Sequence, residues 1–567
     1  MSGATVLVNA RVRSMDSAQR RAHSIGWQAG RVVAVGSRAD VLARCGRGAR
    51  VIDVGGAHVL PGFIDAHHHV SLAALYGGQL RLVPPAVHDI ASLQRALVEA
   101  ARPLSPGRWL VALDWNEAQL AERRPPTRQE LDDALPDRPL FALHYTGHSA
   151  LANSAALEAA GIGRGTRDPA GGKISRGAGG EPDGLLIERG IGAVESLARA
   201  DLVTHDRESY LARLHEHQHA MLARGITRVC DTTVPADLMA LYRESARRGE
   251  LLVPTIACPV SIRGYFEEPW DALQGPATGE RDESGTLVVG PVKLVFDGAP
   301  ACSMCLGWWQ ALGALFRASL RALQERSLDP WRTAMSIEPR LAARLQMRSG
   351  IAMYQPDEAR SIVDGALERG FALATHAVGN AAVDVALDAY SAARARLHGP
   401  GPARLEHAAF IDQAQAARIA DAGIVVVSQP YFFSLEAYQS AVSIPGLRFF
   451  PHRWLLDAGA VVAGSSDYPV AGFDPLEGVR RAITRHSARG ETHEPDQRVT
   501  LDEALAMYTR GAARACDCDD AHGSLEQGKQ ADLVLVDGDL ERLGDGAEMR
   551  VRATVIGGET RYGALSI

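Results

Sequence analysis

From residue 226 onward the chain alternates short apolar runs with helical stretches, and no other feature constrains its fold as much. The runs are I-T-R-V-C-D-T (226–232), L-L-V-P-T-I-A-C (251–258), V-V-G-P-V-K-L-V-F-D (288–297), F-A-L-A-T-H-A-V (371–378), R-L-E-H-A-A-F (404–410), I-V-V-V-S-Q-P (424–430) and A-V-V-A-G-S-S-D (460–467). Near-continuous apolar strands separated by helices point to a parallel sheet covered on both faces. V-L-P-G-F-I-D-A-H-H-H-V (59–70) supplies an eighth run upstream. The expectation is an α/β fold, a (β/α)8 TIM-type barrel, which needs about 250 residues and carries its chemistry at the C-terminal strand ends.

That placement makes the last residues of the strands the ones to inspect. In the first strand, alternation sends His67 and His69 to one face and His68 to the other. Two imidazoles on one side of a strand end can hold a divalent metal, though an H-x-H alone is weak evidence. The later strands add Lys293, His376, His407 and Asp467. Each has a plain structural reading: a hydrogen-bonded core histidine, or an aspartate capping the next helix. All of them falling at the same strand ends favours a metal centre. Nitrogen and oxygen donors without cysteine suit zinc or a similar first-row divalent ion.

Lys293 carries extra weight. Of 60 cationic residues only Lys173, Lys293 and Lys529 are lysines. Arginine serves nearly everywhere a positive charge suffices, so a lysine kept in an apolar strand suggests chemistry that arginine cannot perform. Lys529 follows Gly528 in a turn and reads as structural.

The flanks differ in kind. Residues 4–60, 531–538 and 549–562 read as short β segments, forming either one composite β domain closed by both ends or two separate caps. Residues 1–60 plus 523–567 are therefore set apart from a barrel at 61–522. Within that barrel, about 75–225 reads as an inserted subdomain. It holds two β-like runs (109–115 and 139–146) and a Gly-rich loop at 161–184. A lid-like loop is expected at 299–350, over the barrel mouth.

The net charge of −7 provides no basic field for nucleic acid or an anionic membrane. No apolar run reaches the roughly 18–20 residues of a membrane span. The start lacks the features of a secretory signal, and seven scattered cysteines do not form a disulfide framework. The expectation is a cytoplasmic protein with a small-molecule substrate and no nucleic-acid or membrane partner; a homodimer stays open.

Several segments together resemble the amidohydrolase superfamily, in particular its amidohydrolase-3 branch, which includes N-substituted formamide deformylases. They are P-G-F-I-D-A-H-H-H, G-H-S-A-L-A-N-S-A-A-L (147–157), V-K-L-V-F-D-G (292–298), T-H-A-V-G-N-A-A-V-D (375–384), L-E-H-A (405–408), S-Q-P (428–430), G-S-S-D-Y-P-V (464–470) and G-S-L-E-Q-G-K-Q-A-D-L-V (523–534). The resemblance implies a β-sandwich built from both termini. It also implies one or two divalent ions, with His67 and His69 on one and His376 and His407 on the other. Lys293 would bridge them as a CO2-derived carbamate, and Asp467 would be ligand and general base. A carbamate needs a neutral, nucleophilic amine, which arginine cannot supply.

The implied reaction is hydrolysis of an amide, N-acyl or N-formyl C–N bond. His148, in the G-H-S-A segment, is a candidate for substrate binding or an interdomain structural histidine. Asp297 either orients substrate or supports its loop, and Trp308 and Trp309 would line an aromatic pocket. Asn380 stands where the branch usually has aspartate. Cys302-x-x-Cys305 lacks a second pair, and His215, His217 and His219 read as a surface cluster on a helix. The rivals are a deaminase or cyclic-amide hydrolase on the same metal barrel, and an inactive metal-binding scaffold.

Overall fold

The computed structural model describes residues 3–18, 20–260, 278–298, 302–325, 340–341, 346–396, 403–435 and 444–566. The strands that carry the site are β1 (Phe63–His68), β2 (Ile226–Val234), β3 (Thr255–Pro259), β4 (Val292–Val295), β5 (Leu373–Ala377), β6 (Arg404–His407), β7 (Val425–Ser428) and β8 (Val462–Gly464). β1 to β3 are parallel neighbours in one sheet and β4 to β8 in another. A parallel bridge from Val260 to Lys293 joins β3 to β4. At the other edge the Asp467 N–H donates to the His67 carbonyl at 2.8 Å, and the His69 N–H to the Tyr468 carbonyl at 3.0 Å. The two sheets thus meet at both edges, in a mixed α/β fold of the TIM-barrel kind.

One expected strand is broken. Leu287–Val289 pairs with β3, whereas β4 pairs with β5. Gly290 and Pro291 lie at the break, where proline has no N–H to give to a ladder.

Helices Ala236–Arg247, Pro356–Glu368, Asn380–Arg396, Gln413–Asp421, His452–Asp457 and Pro475–Thr484 follow the strands. Their starts are written locally. Asp412 accepts from the Gln415 N–H while the Gln415 side chain accepts from the Asp412 N–H, a reciprocal cap. Pro356 and Pro475 occupy first helical positions, where a missing N–H costs nothing. Ile362, Val363, Val383, Leu387 and Ile419 pack from these helices onto Leu373, Leu405 and Val426 of the sheet. Each such burial stabilises by about 1.5–3 kcal/mol. A second, smaller-sided cluster joins Ile64, Ala66, Cys230, Ile256, Val425, Val427 and Ala463 to Ala512 and Ala515.

Both ends of the chain share a six-stranded sheet, in the order Arg21–Ala22, Arg11–Arg13, His58–Pro61, Leu533–Asp537, Arg550–Ile556, Glu559–Gly563. Leu535 sits antiparallel to Val59, and the strand that holds Val59 runs through Gly62 into β1. Leu7, Ile25 and Trp27 from a second sheet pack on Val59, Leu533 and Val555.

The segment before β2 holds its own six-stranded sheet, which includes Leu80–Arg81, Leu110–Trp115, Leu140–His144 and Ser149–Ala152. The stretch at 161–184, expected to be a loop, instead contains Gly172–Arg176 and the start of Pro182–Glu188, an antiparallel pair. Its buried side alternates strictly along P-D-G-L-L-I-E, but the glycines and proline nearby mask the pattern. The expected lid-like loop at 299–350 is also corrected. Met304–Gly307 and Gln346–Ser349 form an antiparallel pair around helix Trp308–Glu325. Residues 299–301, 326–339 and 342–345 of that stretch lie outside the described residues. Among the described residues no helix is long and apolar enough to cross a membrane.

Candidate metal centre and active site

Three of the expected ligands meet directly. Donor atoms of His67, His69 and Asp467 lie within 4.8 Å of one another. Asp467 Oδ1 is 2.8 Å from His69 Nε2 and 3.3 Å from His67 Nε2. The His407 ring centroid is 5.1 Å from that of His67 and 4.5 Å from that of His376. Lys293 is buried on β4 and interacts electrostatically with His67, His376, His407, Glu406 and Asp467. His67, His69, His376, His407 and Asp467 thus adjoin one another near the strand ends, with Lys293 buried on β4.

Backbone conformation brings two of them in. Strict alternation would turn Glu406 and His407 to opposite faces, yet Glu406 bonds to His67 while His407 packs against the same ring. His407 has φ +74° and Asp467 has φ +57°. Such left-handed geometry is uncommon outside glycine and concentrates at functional sites.

The residues behind the cage escaped the sequence reading. Glu406 Oε2 accepts from His67 Nδ1 at 2.5 Å, leaving Nε2 to face Asp467. Glu406 and Arg404 are both fully buried, with Arg404 Nε donating to Oε1 at 2.6 Å and Nη2 to Oε2 at 3.1 Å. Arg404 also donates to the Ala66 and Ala515 carbonyls. Gln429 plays the matching part for His407. Its amide nitrogen donates to Val427 O and Ser465 Oγ, which fixes Oε1 as the acceptor 2.8 Å from His407 Nδ1. The only signal in sequence was that Glu406 and Gln429 lie within the quoted segments L-E-H-A and S-Q-P.

The protonation states suit ligation. Burial, reinforced by neighbouring cations, brings His407 down to about 3 and His376 well below its usual value, so both rings stay neutral. Burial also pulls Lys293 down, against the opposing carboxylates of Glu406 and Asp467. Burial alone would raise Glu406, but Arg404, His67 and Lys293 hold it well below the carboxylate range.

Above the cage opens a cavity of about 390 Å³ lined by His376, His407 and Asp467. One wall is apolar, with Val378, Phe432, Leu435 and Phe450; the other is polar, with Arg81 and Asp114 from the sheet before β2 and Asn116 and Gln119 just beyond its strand Leu110–Trp115. His148 lines it too, its ring 6.4 Å from His376 and its Nδ1 held by Glu188. Burial disfavours a charged His148, but Glu188, Asp467 and Asp297 outweigh it and raise its pKa.

Other expected substrate contacts require correction. Asp297 is fully buried, outside the cavity lining, and accepts from the backbone N–H groups of Ser303, Val378 and Gly379, with Oδ1 3.6 Å from His376 Nε2. Trp308 and Trp309 stack on each other at 3.8 Å and are 46% and 69% exposed, outside the cavity lining. They start a helix whose register turns them to its outer face. The histidine cluster also differs from expectation: His217 turns inward, with Nε2 3.2 Å from that of His68.

Asn380 has a distinct use. Its Oδ1 accepts from the Cys305 N–H at 2.9 Å and its Nδ2 donates to the Cys305 carbonyl at 2.8 Å, as a paired strand would. Aspartate could do only the first. Asn380→Asp is expected to cost about 1–3 kcal/mol, read as a lowered denaturant midpoint and faster proteolysis near residue 305.

The donor set fits a divalent metal. It offers imidazole nitrogens and a carboxylate, and among the described residues the buried His376 Nε2 has no hydrogen-bond partner, Asp297 Oδ1 lying 3.6 Å away. A buried imidazole nitrogen is costly to leave unmatched.

The family model described as "Amidohydrolase family" matches residues 50–562. The N-substituted formamide deformylase of Arthrobacter pascens is 31% identical, over 98% of each chain. Protein LONG AFTER FAR-RED 3 of Arabidopsis thaliana is 27% identical, over 98% of this chain and 91% of its own. A metal-dependent hydrolase from Pyrococcus horikoshii has the same fold, at TM-score 0.69 and 21% identity, covering 96% of this chain and 99% of that one. A buried histidine–carboxylate cage at parallel strand ends, in a chain matched almost end to end, leads to one conclusion: the chain belongs to the amidohydrolase family and is a metal-dependent hydrolase of carbon–nitrogen bonds other than peptide bonds.

Proposed function

We propose that this hydrolase cleaves the C–N bond of a small N-acyl or N-formyl amide, on a closed (β/α)8 barrel at 61–522. A composite β-sandwich of 1–60 and 523–567 would brace it, and the insert at about 75–225 would form one wall of the site. The observation that carries the reading is the convergence of His67, His69 and Asp467 at adjoining strand ends, beside His376 and His407. The name of the Arthrobacter relative, a formamide deformylase, supports the substrate class.

His67, His69, His376, His407 and Asp467 would hold one or two divalent ions, with zinc favoured by their donor types. A bound divalent ion supplies Lewis acidity, polarising a carbonyl and lowering the pKa of water. Lys293 is the proposed carbamate. Burial favours its neutral amine, and a neutral amine adds to CO2. Glu406 and Gln429 fix which nitrogen of His67 and His407 points inward. Asp467 takes the proton of the attacking water and delivers it to the departing nitrogen. The apolar wall of Phe432 and Phe450 receives the substituent of the amide and keeps water from it.

The test is a panel of formanilides and acetanilides, run on protein stripped with a chelator and then given Zn²⁺. Activity should vanish on stripping and return with zinc. Lys293→Ala should bind fewer ions and lose roughly 10²-fold or more in kcat/KM. Carbon-13 bicarbonate should give the wild type, but not the variant, a carbamate NMR signal. An idle zinc-loaded wild type across the panel would sink the substrate class. Lys293→Ala with full activity would instead favour a deaminase-like, single-ion chemistry.

A further inference from the structure

The inserted sheet contributes a feature that the cage does not explain. Glu188 ends strand Pro182–Glu188, is 1% exposed and has φ +49°. A buried carboxylate and a left-handed backbone at a non-glycine residue are both costly. What this arrangement secures is one ring. Both Glu188 oxygens lie 3.0–3.1 Å from His148 Nδ1, and the Glu188 N–H donates to the His148 carbonyl at 3.0 Å. The neighbouring register pair, Ser149 with Ile187, locks the two strands together. His148 is thereby tied to Glu188 by backbone and side chain at once. It lines the same cavity as His376, His407 and Asp467, yet immediately precedes strand Ser149–Ala152 of a different sheet. A brace between two layers of the fold would not need to border that cavity.

We propose that Glu188 is a positioning residue that holds the His148 ring with its other N–H turned toward the oxygen of the substrate carbonyl. The proposal rests on the amide-hydrolase reading above. A carboxylate accepting at Nδ1 fixes the proton arrangement and orientation of an imidazole. As water adds to the carbonyl, the carbon–oxygen double bond becomes single and charge gathers on that oxygen. A donor already in place stabilises this charge more than it does the ground state. The proton stays on His148; the C–N bond breaks with its proton delivered by Asp467. His148 touches substrate, whereas Glu188 acts only through His148.

The test uses the zinc-loaded full chain and the formanilide panel. Glu188→Gln should lower kcat roughly 10- to 100-fold, with KM within about twofold and with metal content and melting temperature unchanged. His148→Ala should lose at least as much. Adding Glu188→Gln to His148→Ala should cost nothing further, because residues acting as a unit are non-additive. If Glu188→Gln fails to fold, Glu188→Asp, which keeps the charge but shortens the reach, is read by the same cycle. Multiplying losses in the double variant, or unchanged kcat in Glu188→Gln while Asp467→Asn is inactive, would overturn the proposal. Asp467→Asn with normal activity would instead overturn Asp467 as the general base, not the hydrolysis. A wild type idle on the whole panel removes the amide-hydrolase reading and the dyad with it.

Discussion

Asp467→Asn is expected to lower kcat by roughly 10²- to 10⁴-fold on any amide the protein turns over, the range for losing a positioned general base. The change removes one function while sparing others. Asparagine keeps an oxygen where Oδ1 lies 2.8 Å from His69 Nε2, so the packing is preserved. It cannot accept a proton from water. In the native site His67 and His69 hold the Asp467 carboxylate well below its usual pKa, overcoming the raising effect of burial. It is therefore ionised throughout the neutral range. The measurement is kcat at saturating amide alongside metal content on the same sample. Retained metal with collapsed kcat supports the base. Equal loss of both would make Asp467 chiefly a ligand, and full activity would remove it from the chemistry.

Arg404→Met should have the largest effect on stability, about 3–5 kcal/mol, the cost of leaving a buried charge without its partner. Arg404 and Glu406 are both fully buried, and the guanidinium also satisfies the Ala66 and Ala515 carbonyls. Methionine fills the space but donates nothing. Glu406 must then either take up a proton or remain charged in an apolar interior. Protonated, it is a poorer acceptor for His67; still charged, it has lost the guanidinium that fixes its position, so metal affinity should fall with stability. Urea denaturation and metal titration would read the two effects. Adding Glu406→Gln should recover part of the stability but not the metal affinity. A single variant as stable as wild type would mean the pair does not support the barrel.

The contrast between these residues explains what the sequence made legible. Asp467 ends an apolar run and His376 lies near the end of another, and a parallel fold places run ends together; Lys293 lies inside its run and stands out by the scarcity of lysine. Glu406 sits beside a ligand but is assigned its role only by a backbone turn that period-two reasoning cannot foresee, and Gln429 meets His407 only across neighbouring strands. Arg404 lies inside an apolar strand, where its charge argues against burial until the partner two residues on is seen to bond with it. Trp308 and Trp309 misled for a related reason. Aromatic content suggested a pocket, while their helical register sets them on an outer face. Glu188 belongs to a strand hidden among glycines, so its pairing with His148 had no local trace.

The shared terminal sheet bears on biosynthesis. His58–Pro61 is made early and Leu533–Asp537 late, yet the two are hydrogen-bonded neighbours. While the ribosome is still extending the chain, one edge of that early strand has no partner, and β1 hangs from it directly. Pairings between such distant segments form slowly, and exposed edges invite wrong ones. His67 and His69 are therefore translated long before the strand on which they depend is anchored. Ion uptake into a correctly framed cage becomes an event that follows synthesis of Leu533–Asp537, and truncation near residue 533 should harm metal loading as surely as loss of a ligand.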